Sequence, residues 1–128
     1  MTHGTEKNSG TPIDYIELPA TDLDESKAFY GETFGWTFED FHDGYVGFQH
    51  ARGFGGFPKV ASVVRGGPLP VLYADSLDPV KERVREAGAE ITVEETTFPG
   101  GRRFLFLDPS GNELGVWSDD IAKREGSQ

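Results

Sequence analysis

Short alternations of apolar and polar positions recur along the chain and give way twice to a helical period. In the closing alternation, Leu114 and Val116 fall on one face of a strand and Glu113, Gly115 and Trp117 on the other, because successive strand side chains point to opposite sides. The same rule separates Ile16 and Leu18 from Tyr15 and Glu17, and Leu72 and Ala74 from Leu69, Val71 and Tyr73. It also separates Leu105 and Leu107 from Phe104 and Phe106. One face reads as aliphatic and suited to packing under helices. The other collects aromatic rings, two carboxylates and glycine.

The first helical stretch follows Asp22, a capping residue, with Glu25 placed to complete a capping box. Tyr30 and Phe34 then lie one turn apart and can share a buried face. In the second stretch Ser76 or Asp78 caps, and Pro79 is tolerated in the first turn. Val80, Val84 and Ala87 form its apolar stripe, and Gly88 ends it. A short strand precedes each helix and three strand-like pieces follow: WTFEDF, YVGFQH and GFGGFP after the first, ITVEET, RRFLFL and ELGVW after the second. Asp43-Gly44 and Gly111-Asn112 supply turns suited to positive φ.

Shifting the chain by 54 residues lays YIELPATDLDESK over LPVLYADSLDPVK with five identities in 13 positions, which indicates an internal duplication. The predicted fold is α+β: two tandem βαβββ modules, about 12–60 and 67–118, forming a curved eight-stranded cup with helices on its outer face. A ferredoxin-like fold has one strand fewer per half and leaves the last hairpin unexplained. One domain spans 12–118, with flexible tails expected at 1–11 and 119–128.

Composition narrows the partners. The 128 residues suit one domain with a real core. A formal charge of −10 argues against nucleic acid, which demands a basic face. No apolar run approaches the roughly 20 residues of a membrane span, and no leader pattern opens the chain, so a cytoplasmic protein is expected. Absence of cysteine excludes disulfides and a thiolate nucleophile. GFGGFPK is not followed by a helix and lacks the Lys-Ser/Thr ending of a phosphate loop, and no GxSxG elbow occurs.

A sheet curled around the mixed face makes a small-molecule cup. Its candidate ligand-binding residues are Tyr15, Glu17, Tyr73, Phe104, Glu113 and Trp117. Glu17 and Glu113 are the candidates for acid–base work, provided burial raises their pKa values. Arg102 and Arg103 read as a solvated loop after Gly100-Gly101, with holding an anionic substrate at the rim as the alternative role. Of the histidines, His3 lies in the tail, His42 at a hairpin, and His50 by parity on the aliphatic side.

Three stretches, IELPATDLDESKAFYGETFGW, YADSLDPVKERVREAGAEI and RFLFLDPSGNELGVW, resemble the vicinal oxygen chelate superfamily, which includes glyoxalase, bleomycin-resistance proteins and extradiol dioxygenases. Metal ligands of that superfamily, carried over by motif spacing, fall on Tyr15, Leu69, Gly115 and the Gly55-Gly56 pair. None is a usual divalent-metal ligand, so no metal and no cofactor are expected. The resemblance leaves three functions open. One is a metal-free binder of an aromatic or cationic small molecule. Another is a lyase, isomerase or dioxygenase-like enzyme using Glu17 or Glu113 or a rebuilt metal site, and the third is a non-catalytic interaction module. It also implies a homodimer, built side by side or by module exchange.

Overall fold

The computed structural model describes residues 10–121, so the expectations for residues 1–9 and 122–128 lie outside the described residues. The elements run β1 (Ile16–Glu17), α1 (Leu23–Phe34), β2 (Thr37–His42), β3 (Tyr45–His50), β4 (Gly53–Pro58), β5 (Val71–Tyr73), α2 (Leu77–Glu86), β6 (Ile91–Phe98), β7 (Gly101–Leu107) and β8 (Glu113–Ser118). The α+β class and the two βαβββ modules are those the pattern predicts. The eight strands divide into two four-stranded sheets, ordered β1-β4-β3-β2 and β5-β8-β7-β6. In each module the first and last strands pair in parallel and the rest is an antiparallel meander, so the duplicated sequence folds into duplicated topology.

The helix boundaries have local causes. The Asp22 carboxylate accepts the Glu25 N–H at 3.0 Å and starts α1, which ends at Gly35 with φ 76°. Ser76 precedes α2 but makes no side-chain cap bond; Asp120 accepts the Leu77 N–H at 3.0 Å instead. A cap has been supplied from the far end of the domain.

Helix α1 packs against both sheets. Its Tyr30 ring is 5.4 Å from Phe57 of β4, while Phe29 and Phe34 stand 6.0 and 5.6 Å from Phe106 of β7. Arg83 of α2 donates to the Thr33 carbonyl of α1 at 3.0 Å. The inward faces of both sheets thus share one core, containing Leu18, Val46, Phe48, Phe57, Phe104, Phe106, Leu114 and Val116. The DPSGN turn locks this arrangement. Asp108 accepts the Tyr30 hydroxyl at 2.8 Å and the Ser110 and Asn112 N–H groups at 2.9 Å, and Asn112 donates to the Pro19 carbonyl at 2.8 Å. Burial foremost, and the Asp108 charge next, push the Tyr30 phenol well above its ordinary pKa.

Three expectations are corrected. Phe104 and Phe106 belong to the core: β7 pairs Phe104 with Val116 and Phe106 with Leu114, and directly paired residues of antiparallel strands share a face. Leu105 and Leu107 take the outward face, opposite Gly115 and Glu113. Arg102 is not a solvated loop residue but is buried, whereas Arg103 is exposed. Packed structure also continues past Ser118 into the expected tail, because Asp120 is buried against Arg102.

Among the described residues, no helix is long and apolar enough to cross a membrane.

Candidate functional site

The outward face of the first sheet carries the first predicted pair. Two-residue β1 runs parallel to β4, setting Ile16 beside Gly55 and Glu17 beside Gly56. Tyr15 stacks on Phe54 with ring centres 5.8 Å apart and planes 14° apart, and the two rings remain 49% and 52% exposed. Glu17 accepts the Tyr45 hydroxyl at 3.1 Å. A Cβ at position 56 would strike the Tyr45 hydroxyl, so glycine here leaves Tyr45 the space beside Glu17. Burial first, and then the hydrogen bond to Glu17, raise the Tyr45 pKa, so the phenol stays a donor at neutral pH.

The second pair sits on the other sheet. Tyr73 and Trp117 are register partners across the parallel β5–β8 pair, with rings edge to face at 5.2 Å. Tyr73 donates to Asp119 at 2.9 Å, and the Arg52 guanidinium lies 5.1 Å from the Tyr73 ring centre. Glu113, at the opposite end of β8, accepts the Thr92 hydroxyl at 2.6 Å.

Of the six predicted residues, then, Tyr15 joins Glu17 and Tyr73 joins Trp117, on different sheets. Glu113 stands apart from Trp117 along its strand, and Phe104 is removed to the core beneath α2, 6.0 Å from the Lys81 ammonium. Tyr45, Phe54 and Arg52 are the neighbours that sequence reasoning missed. For Tyr45 a signal was present: it shares strand parity with Gly47 after the Asp43-Gly44 turn, and so faces outward with Glu17.

The residues at the superfamily's ligand positions do not fit a metal. Tyr15 is engaged with Phe54, the space over Gly56 is filled by Tyr45, and the space over Gly115 borders Leu105. His42 and His50 turn Nδ1 to the Gly44 and Arg52 N–H groups of their own turns, at 3.1 and 3.3 Å. Among the described residues, no three His, Asp or Glu side chains group to hold an ion.

Two βαβββ modules, each closed by a parallel pairing of its first and last strands, define a fold of the vicinal oxygen chelate type. The chain belongs to the Glyoxalase/Bleomycin resistance protein/Dioxygenase superfamily, whose family model matches residues 12–116. It is 27% identical over 136 aligned residues to "Putative glyoxylase CFP32" of Mycobacterium bovis, covering 91% of this chain and 49% of that protein. The chain thus spans about half the length of the curated relatives it matches. Among solved structures, lactoylglutathione lyase of Agrobacterium tumefaciens superposes with a TM-score of 0.71 at 22% identity, over 89% of this chain and 98% of that one. The fosfomycin resistance protein FosX of Listeria monocytogenes, solved with Mn(II), gives 0.73 at 22% identity, over 85% and 89%. At these identities the structural likeness establishes the fold.

Proposed function

We propose that the protein binds a small aromatic or cationic molecule on the aromatic, acidic face of its first sheet, without a metal. The observation that carries this reading is the half-exposed Tyr15–Phe54 stack beside the Glu17 carboxylate. Ring faces attract a planar cation by roughly 0.5–2 kcal/mol, depending on desolvation. Glu17 adds a charge-assisted hydrogen bond, and Tyr45 holds that carboxylate in place.

A homodimer is part of the proposal. Phe41, Phe54 and Tyr15 on the first sheet and Val71 and Val93 on the second are 41–58% exposed on outward faces. Burying such surface against a second copy is favourable at about 25 cal/mol per Å². Laying the first sheet of one copy against the second sheet of another would bring the two predicted residue pairs into one cup.

No observation favours the acid–base alternative: Glu17 is exposed, which removes the desolvation it required, and Glu113 is occupied by Thr92.

The test is an NMR titration with benzamidinium and its neutral counterpart benzamide. Benzamidinium is expected to shift the Tyr15, Glu17 and Phe54 amides. Phe54→Ala weakens both probes, and Glu17→Gln weakens benzamidinium alone, about fivefold. Equal weakening of both probes by Glu17→Gln rejects the charge argument. Silence at these amides rejects the site and favours an interaction module.

A further inference from the structure

Where the β3–β4 turn of the first module meets edge strand β5 of the second, a cleft of about 960 Å³ runs between the modules. Trp36, His50 and Arg52 line it from one side and Tyr73, Arg83 and Trp117 from the other. Its charge inverts that of the chain. The whole protein carries 22 acidic residues against 12 Lys and Arg. Among the described residues, the cleft is lined by two arginines and one carboxylate, Asp75, with Asp119 beside it on the Tyr73 hydroxyl.

Neither arginine enters an ion pair among the described residues. Arg83 is oriented by the bond from its Nε to the Thr33 carbonyl, and its side chain lines the cleft. Arg52 rests on the Tyr73 ring, a contact that holds the guanidinium without discharging it. His50 adds a neutral donor. Its Nδ1 accepts the Arg52 amide, so the ring proton resides on Nε2, and partial burial lowers its pKa and keeps the imidazole neutral at pH 7. Aromatic side chains line the space: Trp36, stacked between Tyr30 and Phe48 at 4.6 and 4.5 Å, presents its edge 5.6 Å from His50, and Trp117 lies 5.2 Å from Tyr73.

We propose that this inter-module cleft is a second ligand site, for a small planar aromatic carboxylate whose anionic group is held by Arg52 and Arg83 and whose ring lies against Tyr73, Trp117 and the edge of Trp36. Guanidinium groups pair with carboxylates through parallel N–H bonds, and the flat walls take a ring with little ordering cost. The site is distinct from the Tyr15–Glu17 face: its anchors are two arginines in place of a carboxylate, and it is an open groove formed within one chain, sharing Tyr73 and Trp117 with the dimer cup proposed above.

The test is titration of the full chain with 2-naphthoate and with its neutral amide, followed by amide and indole NMR shifts. Naphthoate is expected to shift the Trp36 and Trp117 indole N–H signals and the His50 and Arg52 amides, and to bind about five- to tenfold more tightly than the amide. Arg52→Gln, at an exposed turn, and Arg83→Gln each remove that preference. Glu17→Gln and Phe54→Ala leave naphthoate affinity unchanged, so loss of the cation site and loss of this one are told apart. Should Arg83→Gln disturb the α1–α2 contact, Arg52→Gln decides alone. Equal affinity for acid and amide, an unchanged dissociation constant in Arg52→Gln, shifts confined to the Tyr15 face, or no shifts at millimolar probe would each overturn the proposal.

Discussion

Arg102 and Asp120 form a two-pronged pair in which Nε donates to Oδ1 at 2.9 Å and Nη2 to Oδ2 at 2.7 Å. Both residues are buried, and Nη1 of Arg102 also reaches Asp78 and Glu95, at 3.1 and 3.0 Å. Because Asp120 simultaneously accepts the Leu77 N–H, the pair fastens the chain beyond β8 to the start of α2. Removing one partner leaves a buried charge uncompensated, so Arg102→Ala is expected to cost about 3–5 kcal/mol in urea unfolding. Truncation after Ser118 takes Asp120 from the same guanidinium and from the Leu77 N–H, and is expected to destabilise comparably. Exposed Arg103→Ala stays within about 0.5 kcal/mol. A small effect for Arg102→Ala would show that the network is solvated.

The buried Tyr30–Asp108 contact makes stability sensitive to alkali. The folded-state pKa of Tyr30 is raised above its unfolded value near 10, so the folded state keeps a proton that the unfolded state releases. Its contribution is complete below the unfolded pKa and is lost as pH rises from there through the folded pKa, by up to about 1.4 kcal/mol per pH unit. Unfolding free energies measured between about pH 8 and 11 are expected to fall less steeply with pH in Tyr30→Phe. The variant is less stable near pH 8, where the Asp108 bond is lost, and the gap narrows as pH rises. Parallel curves would place the titrating group elsewhere.

Much of the fold was legible because its signals are local. Asp22 with Glu25, Gly88, the Asp108-Pro109 turn and the 54-residue repeat each act within a few positions or declare themselves by identity. Strand faces were legible where apolar and polar positions alternate, as in Tyr15–Leu18 and Val71–Ala74. They failed at Phe104–Leu107, where all four residues are apolar and parity alone does not say which pair turns inward. Grouping leucine with leucine put Phe104 in the cup; only the pairing with Val116 assigns it to the core. The site was half legible for a related reason. Glu17 could be placed on a face, but its partner Tyr45 lies 28 positions away and Arg52 meets Tyr73 across the module boundary. Arg102 and Asp120 read as polar ends because nothing local marks a buried ion pair.

The face reversal in β7 has an energetic signature. Phe104 is 0% exposed, and cutting it to alanine removes a ring the core cannot refill, a loss of about 3–5 kcal/mol. Leu105, on the outward face, is expected to cost clearly less in the same exchange. Chemical denaturation of Phe104→Ala and Leu105→Ala compares them directly. Equal losses would mean that the outward face of the second sheet is covered as tightly as the core, as in a dimer stable under the conditions of measurement, which dilution would reveal.

Gly55 tests how the first site is held. A Cβ at this position would run into the Ile16 carbonyl and the Phe48 ring, and a backbone oxygen cannot swing aside as a side-chain tip can. The clash falls on the one strand pairing that positions β1, where Ile16 is opposite Gly55 and the next N–H, Leu18, bonds the Gly56 carbonyl at 2.9 Å. Gly55→Ala is expected to cost about 1–3 kcal/mol. It also speeds amide exchange at Leu18 and separates Tyr15 from Phe54, so benzamidinium affinity falls while naphthoate affinity is kept. Gly35→Ala is the control: its neighbourhood is open, so only the strain of φ 76° is felt, about 1–2 kcal/mol, with no effect on β1 exchange. If Gly55→Ala leaves Leu18 exchange unchanged, β1 is not held by its approach to β4, and the placement of Glu17 depends on the Tyr45 hydrogen bond instead.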